Sequence, residues 1–138
     1  MGQYTAAPFA DRTAVLLDFD GTIADTGTYI MRCAREALVE CGYPREAEGD
    51  LHSLIGPPLF NGFADLCHQP LEEGMRITAV YRRIFDKDMS PDYYPVFPGM
   101  RELIVALRGQ GRQVAVATSR LETTARQMID FLDLPPFD

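Results

Sequence analysis

The run Thr13-Ala14-Val15-Leu16-Leu17 stops abruptly at Asp18, and Asp18-Phe19-Asp20-Gly21-Thr22 follows at once. A short apolar run without alternation reads as a strand covered on both faces, as in a parallel sheet. A parallel sheet needs at least one more strand of the same kind and a long crossover to reach it. Val114-Ala115-Val116-Ala117 is that second run, and it too ends in polar residues, Thr118-Ser119-Arg120. The two runs are nearly a hundred residues apart, so what lies between them decides the architecture.

The intervening residues are helical in pattern. Ile30, Cys33, Ala34, Ala37, Leu38 and Cys41 fall at i, i+3, i+4, i+7, i+8 and i+11, one apolar stripe, with Thr28 expected as N-cap and Gly42 just past the end. A weaker helical piece is expected over 46–55, closed by Gly56-Pro57-Pro58. Leu59, Phe60, Phe63, Leu66 and Cys67 continue at helical spacing to Gln69-Pro70, and Met75, Val80, Tyr81, Ile84 and Phe85 mark a longer helix over 71–86. The Pro- and Tyr-rich stretch 91–99 is a linker and turn. A helix follows with Leu103, Ile104 and Leu107 expected inward, then the second strand, then a last helix carrying Leu121, Ala125, Met128, Ile129 and Leu132. Strand, helical insertion, helix, strand, helix is the opening of an α/β domain interrupted by a helical one. The expected division is 13–24 with 91–138 as a partial α/β core, 25–90 as an all-helical inserted domain, and 1–12 as a lead-in without periodicity.

Charge narrows the function. Over 138 residues, 13 Lys plus Arg face 20 Asp plus Glu, a net charge of −7. Such a chain lacks the basic face that a nucleic-acid phosphate backbone requires, and no nucleic-acid partner is expected. An anionic substrate must be met here by local cations, a metal or backbone N–H groups. No apolar run approaches the roughly 18 residues that span a bilayer. No basic segment followed by an apolar one marks a signal peptide, and Ala6 stands where a myristoylation motif wants Ser or Thr, so a cytoplasmic protein without a membrane partner is expected. Cys33, Cys41 and Cys67 have no C-x-x-C spacing and read as reduced thiols, the first two on the apolar helix face.

The polar residues at the two strand ends are the candidate site, since ligands of open parallel sheets bind beyond the carboxyl ends of the strands. An extended backbone turns the carboxylates of Asp18 and Asp20 to one side, and Gly21 lets the chain turn directly after them. Two structural alternatives compete. Asp20-Gly21 is also a type I′ hairpin signal, although Asp18 would then interrupt an apolar strand at a desolvation cost. A D-x-D opening also suggests a calcium loop, but Gly stands at loop position 4 and Tyr29 occupies the position that wants Glu. Local pattern alone leaves both catalysis and a structural turn open.

The longer string Asp18-Phe19-Asp20-Gly21-Thr22-Ile23-Ala24-Asp25, directly after an apolar strand, closely resembles the first motif of the haloacid dehalogenase superfamily of phosphohydrolases. Thr118-Ser119-Arg120 resembles that family's second motif, and the helical stretch between resembles its cap. Ile55-Gly56-Pro57-Pro58-Leu59 and Val96-Phe97-Pro98-Gly99 resemble the phosphoglycolate-phosphatase-like branch. The resemblance implies a Rossmann-like parallel-sheet core, here partial, with an inserted helical cap. It implies Asp18 as nucleophile, forming an aspartyl-phosphate that water hydrolyses, and Asp20 as general acid–base. It implies Mg2+ held by Asp18 and the backbone carbonyl of Asp20, and a phosphoryl group held by Thr118 with N–H groups near Gly21 and Ser119. In the family's dehalogenases and phosphonatases the position of Asp20 resembles Tyr or Ala, so an Asp favours phosphate esters or anhydrides. Thr22 is expected to secure the turn, and Asp25 either to start the hinge into the cap or to act as an N-cap. Arg120 has two readings, a phosphate contact or an ordinary solvated residue opening a helix, and the second is favoured.

The sequence also departs from the family. Members carry a third motif with a Lys and a fourth with acidic residues for the metal, whereas Lys87 is the sole lysine here. Glu122, Asp130, Asp133 and Asp138, the acids after Arg120, follow no apolar strand. The expectation is an N-terminal part of a phosphatase of a small phosphorylated metabolite, inactive alone. The alternative is a non-catalytic phosphate-binding or interaction module. An unpaired edge on the first strand would promote self-association. His52, Asn61 and Arg32 are polar cap residues expected at the surface, and none announces a substrate.

Overall fold

A computed structural model describes residues 11–44 and 49–138. Two strands, β1 (Ala14–Leu17) and β2 (Gln113–Val116), pair in parallel with Ala14 opposite Gln113 and Leu17 opposite Val116. Between them run helices α1 (Gly27–Glu40), α2 (Leu59–Cys67), α3 (Leu71–Asp88) and α4 (Met100–Gly109), and α5 (Glu122–Phe131) follows β2. The order is that of an α/β domain with a helical insertion.

The inserted helices pack chiefly on one another. α2 and α3, joined by His68-Gln69-Pro70, form the tightest pair, and α1 lies against α3. Gly74 makes the α2–α3 approach possible: a Cβ there would sit 2.0 Å from the Phe60 carbonyl oxygen and 2.9 Å from the Ala64 Cβ. The α1 stripe buries Ile30, Cys33, Ala34, Ala37 and Leu38, and the Tyr29 hydroxyl donates to the Phe85 carbonyl of α3 at 2.6 Å. Burial pushes the Cys33 thiol up to about 11, which suits an inert packed cysteine, while Cys41 is only half-buried. One apolar core runs on from these helices through Phe19, Ile23 and Tyr94 to Met128 and Leu132 of the α5 region.

The two crossings between sheet and helices lie side by side. Ala24 bridges Val96 in antiparallel fashion, the Asp25 N–H donates to the Pro95 carbonyl at 2.8 Å, and the Phe97 N–H donates to the Ile23 carbonyl at 3.0 Å.

Several local expectations are corrected. The strands are not covered on both faces: Ala14 and Leu16, which point to the same face of β1, are exposed, Leu16 at 69%, so no helix packs over that face among the described residues. The N-cap position of α1 is Thr26, whose side chain makes no cap hydrogen bond, rather than Thr28, which lies inside the first turn. On α4 Ile104 alone is buried and Leu103 is exposed, and Leu121 precedes α5 as an exposed N-cap residue. Of the helical piece expected over 46–55, residues 46–48 lie outside the described residues. Leu51–Leu54 is a single 3-10 turn, opened by Asp50 accepting from the His52 N–H. The lead-in residues 1–10 also lie outside the described residues.

Candidate active site

The loop after β1 is wound around one carbonyl. The Phe19 oxygen accepts from the N–H groups of Thr22, Ile23 and Ala24, and the Gly21 N–H returns to the Ala24 oxygen at 2.9 Å. Gly21 has φ +76°, in the left-handed region that glycine reaches without a steric penalty. Phe19 and Ile23 are fully buried and pin the loop from below. This is a closed turn, not the hairpin that Asp20-Gly21 also permits. Asp18 is left exposed, its Oδ1 accepting the Phe19 N–H at 2.7 Å.

The parallel register carries the second loop to the same end of the sheet, where the Ala117 N–H donates to the Leu17 carbonyl at 2.8 Å. The two loops then meet through Arg120. Its Nε donates to Asp20 Oδ2 at 3.1 Å and its Nη2 to Asp20 Oδ1 at 2.5 Å, a two-pronged ion pair. The Thr26 hydroxyl, fully buried, donates to the same Oδ1 at 2.7 Å. The Arg120 side chain is only 13% exposed, with its guanidinium carbon 4.9 Å from the centre of the Phe85 ring on α3. The favoured expectation of a solvated residue is therefore corrected: Arg120 joins core, first motif and helical insertion. Thr118 Oγ1 accepts the Arg120 N–H at 3.1 Å, and the Ser119 hydroxyl donates to the Gly56 carbonyl at 3.2 Å.

A cavity of about 350 Å3 opens between these loops and the inserted helices. Asp20, Ser119 and Arg120 supply its polar side, and Leu54, Pro57, Leu59, Phe60, Tyr81 and Phe85 its apolar walls. Burial raises the Tyr81 phenol well above its ordinary value, so it is a neutral wall group near pH 7. Thr118 lines a second space, about 850 Å3, shared with α5 and the stretch 133–138. Arg120 lies on both. The structure thus joins Asp20 and Arg120 directly and seats Ser119 beside them, with Thr118 one step behind. No hydrogen bond or ion pair ties Asp18 or Gly21 to the second loop among the described residues.

Of the polar residues on the helices, His52 and Asn61 are exposed, whereas Arg32 is half-buried and stacks over the Tyr93 ring at 4.5 Å. Asp25 is exposed and its N–H holds the crossing. Thr26 is the participant with no expectation attached to it, and Arg120 is expected from sequence as a phosphate contact or a solvated residue but not as the partner of Asp20. Their partner is Asp20, and for Arg120 the separation is 100 residues, with no local signal.

The donors that the resemblance assigns to magnesium are hard oxygens, the kind that ion takes while keeping several waters. Asp20 has both carboxylate oxygens committed to Arg120 and Thr26, so the Asp18 carboxylate and the Asp20 main-chain carbonyl are the donors that fit. No cluster of three or more His, Cys, Asp or Glu side chains suited to a metal occurs among the described residues. No helix among them is long and apolar enough to cross a membrane.

Comparison with known proteins places this geometry in a family context. Residues 15–137 match the profile of the haloacid dehalogenase-like hydrolases. The chain is 33% identical over 120 residues to "Probable phosphatase IndB" of Dickeya dadantii, covering 84% of this chain and 52% of that protein. It is 32% identical over 125 residues to "Tyrosine-protein kinase PtkA" of Mycobacterium tuberculosis, covering 90% and 42%. It is 28% identical over 133 residues to a plasmid-encoded "Phosphoglycolate phosphatase" of Cupriavidus necator, covering 91% and 55%. Among solved structures, a "predicted phosphatase" from Clostridium acetobutylicum superposes with TM-score 0.73 at 25% identity, covering 88% of this chain and 59% of the other. The chain spans about half the length of the curated relatives it matches.

Proposed function

We propose a phosphate-ester hydrolase chemistry for this site, proceeding from one fact: the chain belongs to the haloacid dehalogenase-like hydrolase family, with relatives among its phosphoglycolate phosphatases. In this proposal a carboxylate oxygen of Asp18 attacks phosphorus and the bond to the ester oxygen breaks. Asp20 gives its proton to that departing oxygen. Water then attacks the aspartyl-phosphate, Asp20 takes the proton back, and inorganic phosphate leaves with Asp18 restored. Thr118 and the Ser119 N–H orient the phosphoryl oxygens, and the Gly21 N–H joins them only by leaving the Ala24 carbonyl to which it donates at 2.9 Å. Magnesium, held by Asp18 and the Asp20 carbonyl, would supply charge neutralisation. The cap is assigned to 25–90 and the core to 13–24 with 91–138. The substrate is a small phosphorylated metabolite whose leaving part lies against the apolar walls of the cavity.

The observation that carries the proposal is the exposed Asp18 carboxylate at the carboxyl end of β1, on a loop anchored by Phe19 and Ile23 and joined to the second loop through Asp20 and Arg120. The named relatives, phosphatases and a kinase, share chemistry at a phosphoryl group. Turnover by this chain alone should be low. Phosphoryl transfer draws most of its rate from positioning and charge stabilisation, while Lys87 is exposed in the last turn of α3 and no acidic cluster backs Asp18 among the described residues.

The test is labelling by trifluoroberyllate with magnesium, followed by mass and fluorine spectroscopy, beside turnover of a fluorogenic phosphate ester. The wild-type chain should be labelled and Asp18→Asn should not. Undiminished labelling of Asp18→Asn removes Asp18 as the acceptor. Labelling with little or no turnover is the outcome expected of this chain, and a wild-type chain that is not labelled at all removes the aspartyl-phosphate reading.

A further inference from the structure

The two-motif chemistry leaves Arg120 without a task and, in this arrangement, leaves Asp20 unable to perform its own. Both Asp20 carboxylate oxygens carry donors, from Arg120 at 3.1 and 2.5 Å and from Thr26 at 2.7 Å. Three of the roughly four acceptor positions of the carboxylate are thereby filled, two on Oδ1 and one on Oδ2, and the guanidinium fork bridges both oxygens. The contact must open before Asp20 can give or accept a proton, and an incoming phosphate is suited to open it. A guanidinium grips carboxylate and phosphate with the same planar fork, and a phosphate monoester carries about twice the charge of a carboxylate.

The surroundings favour such an exchange. Arg120 is half held by the insertion, through the Phe85 face, and half by the core, through its main-chain contact to Thr118. It lines both the cavity beside Asp20 and the space beside Thr118, so a change of side-chain rotamer carries the charge from one to the other. The site needs a cation for any anion, because the chain has net charge −7 and its sole lysine, Lys87, is exposed in the last turn of α3 and does not line the cavity. The remaining charged residues on the cavity, Arg82 and Asp86 of α3, are exposed and opposite in sign.

We propose that Arg120 is an exchangeable anion receptor: it clamps Asp20 in the free protein and transfers its two-pronged contact to the phosphoryl oxygens of an arriving phosphate, so that binding itself releases Asp20 for proton transfer. This rests on the phosphatase reading above, and it assigns Arg120 as a positioning residue for Asp20 before binding and a phosphate contact after it.

A double-mutant cycle on this 138-residue chain tests it, with inorganic phosphate and magnesium as the titrated probe and calorimetry as the readout. Asp20→Asn weakens the clamp and should tighten phosphate binding about tenfold, and Arg120→Gln should weaken it by a similar factor, a coupling in the ordinary range for paired charges. The gain from Asp20→Asn must disappear in the Arg120→Gln background. A gain that persists there is plain relief of negative charge and overturns the proposal, as does wild-type affinity in Arg120→Gln. Absence of phosphate binding by both wild type and Asp20→Asn also overturns it. Should Arg120→Gln not fold, the Arg120 Nε–H resonance of the wild-type chain decides: it should shift as phosphate saturates, and an unmoved resonance ends the proposal. Failure of the phosphatase reading is seen separately, as trifluoroberyllate labelling that survives Asp18→Asn.

Discussion

Tyr29 and Tyr94 are both buried phenols close to the crossings, and they differ in what their hydroxyls meet. Tyr29 donates to the Phe85 carbonyl, whereas the Tyr94 hydroxyl has no hydrogen-bond partner among the described residues. Burial pushes the Tyr94 phenol up to about 12 and that of Tyr29 higher, so both are neutral donors near pH 7. A buried hydrogen bond contributes about 1 kcal/mol net, while a buried unpaired hydroxyl costs about as much or more. Tyr29→Phe should therefore lower the thermal midpoint, and Tyr94→Phe should hold or raise it. Equal losses in calorimetric melts of the two variants would refute that distinction. At this scale the sequence displayed the residues that carry a local signal. Asp18, Asp20, Gly21, Thr118 and Ser119 stand at strand ends in a recognisable string. The pairing of Arg120 and Thr26 with Asp20 was illegible, because it exists only once the fold brings Asp20 to them.

Helix spacing was the most legible element signal, and Gly74 shows what it omits. The stripe on α3 was apparent, but not that α2 crosses it closely enough to exclude a methyl group from Gly74. Gly109 ends α4 with nothing within 4 Å of where a Cβ would stand, so Gly74 and Gly109 make a controlled pair of helical glycines. Gly74→Ala should destabilise by about 1–3 kcal/mol or more, since the obstacle is a backbone carbonyl that cannot swing away. Gly109→Ala should be neutral or stabilise by up to about 1 kcal/mol through lost chain entropy. Urea unfolding followed by circular dichroism reads both, and a Gly74→Ala midpoint at or above wild type would contradict the packing of α2 on α3. The same limit explains the N-cap position at Thr26. Thr26 and Thr28 are equally plausible by residue type, and the choice is made by the Asp20 contact and by the Asp25–Pro95 crossing.

At the level of the molecule, element order conveyed the α/β plan, but burial of the strands could not be read from β1 and β2 themselves. An apolar run states what a strand requires of its neighbours, not whether they are there. On β2 the outer side begins to be met: the Asp138 N–H donates to the Val114 carbonyl at 2.9 Å, and Asp138 Oδ2 accepts the Val114 N–H at 2.8 Å. On β1 no strand pairs with the outer edge among the described residues, and Leu16 stands 69% exposed beside it. Leu103, Val105 and Phe131 add exposed apolar surface on α4 and α5. An open edge with an apolar side chain is a template for strand pairing with another copy, and natural proteins suppress such pairing with charge at the edge. This chain should accordingly self-associate as its concentration rises, with Leu16→Lys shifting it toward monomer while leaving its helical circular dichroism intact. Light scattering coupled to size-exclusion chromatography over a hundredfold concentration range measures it. A wild-type chain that stays monomeric throughout, or a Leu16→Lys variant that associates equally, would show that the edge of β1 does not drive assembly.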